Sequence, residues 1–187
     1  MNGGDVFIVC VTGMPGAGKT TATKALVGSG FTVLSMGDVV RREAKKRGLG
    51  VGKEGQKQMM FALRAEGGPA AVAKLCVEEI RSKSLQRVVI DGARSVDEVN
   101  AFRGVGEVKV LGIHASPSRR YELLSSRGRD DDPLSRAEFE VRDQRELDLG
   151  LGKVIALADR IIENESTSIE MLDDRVRGVV VEWQENA

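Results

Sequence analysis

The sequence predicts an α/β fold in which a five-stranded parallel sheet is flanked by helices. Three observations lead to it. Short apolar, β-branched runs alternate with longer helical stretches along the 187 residues. The first run, Val6 to Thr12, passes through a glycine-rich stretch straight into a helical one. No internal repeat, low-complexity segment or interdomain linker interrupts the alternation, so the strands are joined by right-handed crossovers and lie parallel.

The glycine-rich stretch is Gly13-Met14-Pro15-Gly16-Ala17-Gly18-Lys19-Thr20. It reads G-x-x-x-x-G-K-T, the phosphate-binding loop called Walker A. A polyphosphate crowds negative oxygens together, and backbone N–H groups surround it only where no Cβ blocks their approach. The helix starting near Lys19 adds its unpaired N–H groups and positive dipole end. Gly13, Gly16, Ala17, Gly18, Lys19, Thr20 and Thr21 are the candidate nucleotide contacts. Lys19 reaches for the β- and γ-phosphates, and the Thr20 hydroxyl is a ligand for Mg²⁺.

The remaining elements follow in order. The first helix, Thr20 to Val27, ends at Gly28 and Gly30. Phe31 to Ser35 is the second strand. Met36-Gly37-Asp38 turns into a helix over Val39 to Arg47, broken by the glycine-rich run 48–52. A helix over Lys53 to Glu66 ends at Gly67-Gly68, and Pro69 opens the next, to Ser82, at its first position. Val88 to Ile90 is the third strand, ending in Asp91-Gly92. Ser95-Val96-Asp97-Glu98 has the S-x-x-E form of a capping box and starts a short helix to Phe102. Val108 to Ile113 is the fourth strand. Ser116-Pro117 caps a helix to about Ser126. A charged loop, 127–133, leads to a second capping box, Ser135 to Glu138, and a helix to Leu147. Lys153 to Ala158 is a short helix and Arg160 to Glu163 the fifth strand. Thr167 or Ser168 caps a final helix ending near Trp183.

The whole chain, 1–187, reads as one domain of a P-loop NTPase. The core takes residues 1–36, 83–126 and 148–187. A helical insert over about 37–82 and a short lid over about 127–147 rise from the C-terminal edge of the strands, where an α/β fold places its ligands.

Composition narrows the function. Lys+Arg and Asp+Glu both total 28, and aromatics are 4%. Neither bulk charge nor stacking platforms favour nucleic acid as a partner. Cys10 and Cys76 sit in apolar stretches and read as buried thiols. No apolar run approaches the roughly 20 residues that span a bilayer, and the N-terminus lacks a basic leader. A cytoplasmic protein is the expectation.

Asp91 ends an apolar strand, as a Walker B aspartate does, and is placed to hold Mg²⁺ beside Thr20. Asp38 suits a helix N-terminus, a Mg²⁺-bound water, or a base acting on an acceptor hydroxyl. Arginine forks match phosphate oxygens and keep their charge. Arg94, just beyond Asp91, and Arg127 and Arg129, flanking a glycine in the lid, are the arginines positioned for chemistry. Such charges neutralise a transferring phosphoryl group and exclude water. His114, just past the fourth strand, reads as structural.

Several stretches resemble the nucleoside-monophosphate kinase group of P-loop proteins, including adenylate-kinase-related archaeal proteins. Ser35-Met36-Gly37-Asp38-Val39-Val40-Arg41 is similar to the S-T-G-D-x-x-R segment, whose arginine holds the acceptor phosphate; Arg41 carries that match, and Met36 replaces the family threonine. Asp91-Gly92-Ala93-Arg94 resembles D-G-F-P-R with one residue fewer, which implies Asp91 near Mg²⁺ and Arg94 on the acceptor. Glu98 falls where the family often has a glutamine that reads the acceptor base. Arg120 to Arg129 resembles the arginine-bearing start of a lid, and Arg142 the arginine returning from it. Ala158 to Asn164 is similar to A-D-x-V-I-x-N of dephospho-coenzyme-A kinases. The resemblance implies ATP, Mg²⁺ and phosphoryl transfer to a small nucleotide-like acceptor. It leaves two alternatives: phosphorylation of a ribose hydroxyl, and a switch driven by nucleotide hydrolysis.

Overall fold

The computed structural model describes residues 6–50, 52–128 and 132–185. Five strands form one parallel sheet: β1 (Val6–Thr12), β2 (Thr32–Ser35), β3 (Arg87–Asp91), β4 (Gly106–His114) and β5 (Arg160–Glu163), in the order β2-β3-β1-β4-β5. Nine helices accompany them among the described residues: α1 (Lys19–Gly28), α2 (Met36–Lys46), α3 (Lys53–Gly67), α4 (Ala71–Ser82), α5 (Val96–Arg103), α6 (Pro117–Arg127), α7 (Arg136–Asp148), α8 (Leu151–Ala156) and α9 (Ile169–Glu185).

The central strand explains why its sequence is continuously apolar. Ile8 and Cys10 point to one face of the sheet and Val9 and Val11 to the other, and all four are fully buried. On the first face they meet Val88, Ile90 and Val110 with α2 to α5 and Val154 of α8. On the second they meet Val89, Leu111, Ile113 and Ile162 with Ala22, Ala25 and Leu26 of α1 and Leu172, Val176, Val180 and Trp183 of α9. Each fully buried aliphatic side chain contributes about 1.5–3 kcal/mol.

The register lines up the strand ends that carry the site. Val11 pairs with Asp91, and Asp91 also pairs with Ser35. Thr12 pairs with Gly112, and His114 with Glu163. The glycine loop therefore leaves β1 beside Asp91 on one side and the end of β4 on the other.

Several element starts differ from expectation. Residues 36–38 belong to α2, because Ser35 caps it directly, its Oγ accepting from the Asp38 N–H at 3.3 Å. Asp38 is thus in the first turn, not the cap. Pro69 lies in a turn, closed by the Ala71 N–H donating to the Gly68 carbonyl, and α4 begins after it. Glycine at 150, with φ 98°, lets α8 start at Leu151, earlier than Lys153. The capping box at Ser95 and Glu98 is complete. At α7 only half of it forms: Ser135 accepts from the Glu138 N–H, while the Glu138 carboxylate turns to the Leu134 N–H at 2.8 Å.

Candidate active site

The loop after β1 is held against the end of β4 and against Asn164, just past β5. A Cβ on Gly13 would stand 2.3 Å from the Ile113 carbonyl oxygen, so the loop hugs the end of β4 too closely for any side chain. Gly18 has φ +109°, and a Cβ there would meet the Asn164 amide nitrogen at 2.6 Å. That amide donates to the Ala17 carbonyl at 2.9 Å, while the Asn164 backbone N–H donates to the His114 carbonyl at 2.7 Å. Asn164, buried just past β5, ties the loop to two strand ends. No side chain caps α1 at Gly18, so the positive end of the helix meets the loop uncapped. These features fit a polyphosphate.

Lys19 folds back onto the loop, its Nζ donating to the carbonyls of Gly13 at 2.7 Å and Met14 at 3.1 Å. Burial pushes its ammonium down to about 8, reinforced by Arg94 and Arg142 and opposed by Asp91 and Glu146. Lys19, Asp91 and Arg94, identified separately in the sequence, thus share one charged neighbourhood. Arg94 is paired there with Glu146 of α7, Nε to Oε2 at 3.2 Å. Thr20 is exposed at the start of α1 and Asp91 half-buried at the end of β3. Among the described residues no group of three or more His, Cys, Asp or Glu could hold a metal. Mg²⁺ does not need one: it is commonly held by one or two protein oxygens together with phosphates and waters.

On α2, Asp38 and Arg41 form an ion pair with each other, both half-exposed. Glu98 is 2% exposed with both oxygens engaged. Oε2 accepts from the backbone N–H groups of Arg94 at 2.7 Å and Ser95 at 3.2 Å, and Oε1 from Arg64 of α3 at 3.1 Å. It ties α3 to the loop carrying Arg94. Arg127 ends α6 and pairs with Asp132, Nε to Oδ2 at 3.2 Å. Arg129 lies outside the described residues.

Arg120 departs from the expected lid arginine. It is 3% exposed and makes four hydrogen bonds to three partners. Its guanidinium meets Asp143 of α7 with two contacts, at 2.8 and 2.5 Å, and donates to the carbonyls of Pro15 at 3.1 Å and Ala115 at 3.2 Å. It also lies over the Phe139 ring, 4.9 Å from its centroid. It is a strut between the glycine loop and α7. Sequence reading missed Glu146, Asp143 and this use of Arg120, because each pairing joins residues with no local pattern between them. The A-D-x-V-I-x-N likeness was the one signal for Asn164.

Cys10 and Cys76 are buried and free, as expected, and burial raises both thiols, Cys76 to about 12. His114 is exposed, and its backbone carbonyl receives Asn164. Trp183 packs in the core beside α1. No helix among the described residues is long and apolar enough to cross a membrane.

A family model described as an AAA domain matches residues 12–138. The UPF0200 protein of Thermococcus onnurineus is 46% identical over 179 residues, covering 93% of this chain and 96% of that one. The UPF0200 protein of Methanopyrus kandleri is 46% identical over 180 residues, covering 93% and 89%. Among solved structures, TT1252 from Thermus thermophilus aligns with a TM-score of 0.67 at 21% identity, covering 96% of this chain and 98% of that one. Shikimate kinase from Bacteroides thetaiotaomicron aligns with a TM-score of 0.60 at 18% identity, covering 95% and 99%. At these identities the two structures establish a shared P-loop kinase-like fold.

Proposed function

This chain belongs to the UPF0200 family, with an AAA domain over residues 12–138, and we propose that it transfers a phosphoryl group from ATP to a small nucleotide-like acceptor. The observation that carries the reading is the convergence of Lys19, Asp91 and Arg94 at one end of the sheet, beside a loop whose helix has no side-chain cap.

In this reading the loop 13–20 and Thr21 hold the donor's phosphates. Lys19 leaves the carbonyls of Gly13 and Met14 for phosphate oxygens, exchanging two neutral acceptors for anionic ones. Thr20 and Asp91 would hold Mg²⁺, which would supply neutralisation of the transferring group's charge. Arg94 and Arg41 receive the acceptor between the 37–82 insert and the end of β3, and Glu98 fixes the backbone of Arg94. Arg127 and Arg129 carry positive charge toward the donor from the 127–147 lid. A phosphate acceptor is already a nucleophile, so positioning and charge neutralisation do the catalysis. Transfer to a hydroxyl calls for a base, and Asp38, the candidate, is committed to Arg41. Two buried free thiols suit the reducing cytoplasm.

The test is a screen of nucleotide acceptors with purified protein, ATP and Mg²⁺, reading ADP release. One acceptor should raise the release stoichiometrically, and Lys19→Ala should abolish turnover with the fold intact. Full activity in Lys19→Ala would sink the assignment. Slow hydrolysis that no acceptor stimulates would point instead to a nucleotide-driven switch.

A further inference from the structure

Glu146 has no role in the reaction as drawn above, yet it lies at its centre. Its side chain is 12% exposed, its Oε2 stands 3.2 Å from Arg94 Nε, and its charge acts on Lys19. A carboxylate this buried persists only beside a cation. Two other acids are satisfied away from the reacting groups: Asp143 by Arg120, and Glu165 by the Ser116 backbone and hydroxyl. Glu146 takes instead the arginine that follows Asp91. It reaches there from α7, on the lid side of the site, so this one ion pair joins the lid to the loop after β3.

We propose that Glu146 is an internal occupant of the acceptor's anion site, holding Arg94 in the unliganded chain until an anionic group of the acceptor takes its place. The proposal rests on the phosphoryl-transfer reading and narrows it. An incoming phosphate monoester or carboxylate replaces one anion by another on Arg94, so the arginine stays paired and the Glu146 carboxylate, near the C-terminal end of α7, turns toward solvent. A neutral hydroxyl offers no such exchange and would leave two partly buried charges uncompensated. The acceptor is therefore anionic at the end that meets Arg94. While Glu146 holds Arg94, that charge is withheld from the donor's terminal phosphate, and idle transfer to water stays slow. Glu146 is a positioning residue acting through Arg94.

The experiment compares the full chain with Glu146→Gln, Arg94→Ala and the double variant in two measurements. The first is hydrolysis of Mg-ATP without acceptor. Glu146→Gln should raise it about fivefold or more, and the double variant should show no rise over Arg94→Ala, because the freed charge is the cause. The second is amide hydrogen exchange of α7 in the unliganded chain, which should quicken by about fivefold or more in both single variants. Unchanged or slower hydrolysis in Glu146→Gln, or an equal rise in the Arg94→Ala background, would overturn the proposal. So would α7 exchange that neither variant changes. Calorimetric binding of Mg-ATP to the parent separates the two readings. Its absence defeats the phosphoryl-transfer reading, while α7 exchange still decides whether Glu146 and Arg94 form the latch.

Discussion

The side-chain amide of Asn164 donates to the Ala17 carbonyl at 2.9 Å, joining the end of the fifth strand to a loop 147 residues earlier. Asn164→Ala leaves that carbonyl unpaired inside the protein, which costs about 1–3 kcal/mol. We expect a lower melting temperature and about tenfold weaker Mg-ATP binding, equivalent to about 1.4 kcal/mol. Asn164→Asp keeps the shape but sets an oxygen against an oxygen, so it should destabilise at least as much as Ala. Calorimetric melts and titrations check both; an Asp variant as stable as the parent would refute the brace.

Lys19 titrates near pH 8 when folded, against its ordinary 10.5. Its folded value is the lower one, so between about pH 8 and 10.5 the unfolded chain binds the extra proton, and stability gains with rising pH from this group. Lys19→Arg, charged throughout, should lose that part of the pH dependence in urea unfolding. A bound triphosphate restores the charge, so Mg-ATP binding near pH 8 to 9 should take up a proton. Titrations in buffers of different ionisation heat measure the uptake, which should vanish in Lys19→Arg.

Buried Arg120 is doubly bonded to the half-buried Asp143. Removing either partner strands the other, at about 3–5 kcal/mol. Arg120→Met and Asp143→Leu together should cost less than the sum of the single changes, with a coupling of about 0.5–3 kcal/mol in a double-mutant cycle. Additive losses in denaturant melts would show that the two residues stabilise the chain independently.

Glu98→Gln keeps the volume but removes the charge that Arg64 and two backbone N–H groups share. Charge-assisted bonds of this kind contribute about 1.5–3 kcal/mol. The expected result is a loss of stability in that range by chemical denaturation, with Mg-ATP affinity changed less than twofold or so, since Glu98 bonds the side of the site proposed for the acceptor. A much larger fall in ATP affinity would place Glu98 in the donor half.

The fold was legible because its signals are local. Val6 to Thr12 and Arg160 to Glu163 match their strands to the residue, since a short β-branched run flanked by turn residues has a composition of its own. The Ser95–Glu98 box and the Ser116-Pro117 start are local in the same way. Met36 to Asp38 misled because glycine at 37 suggested a turn, while the cap was already present in Ser35. The glycines of the loop were legible as a motif but only partly as a cause: Gly13 and Gly18 are required by the Ile113 carbonyl and Asn164, which no spacing in the loop announces. Glu146 and Asp143 were invisible for a related reason. Ion pairs are formed by topology, and a charged helix such as 136–148 offers many acids with nothing to distinguish the inward-facing ones.

The strand order has a consequence for the chain as it is made. β1 and β2 emerge first but never touch; β3, which begins at Arg87, inserts between them, and β4 closes the other side of β1. Until residue 114 has left the ribosome, the phosphate loop hangs from an apolar strand with an open edge, the condition that invites wrong pairing. Nucleotide can serve as a folding ligand only after that point, and because the loop is also braced by Asn164 it is completed only once the fifth strand is in place.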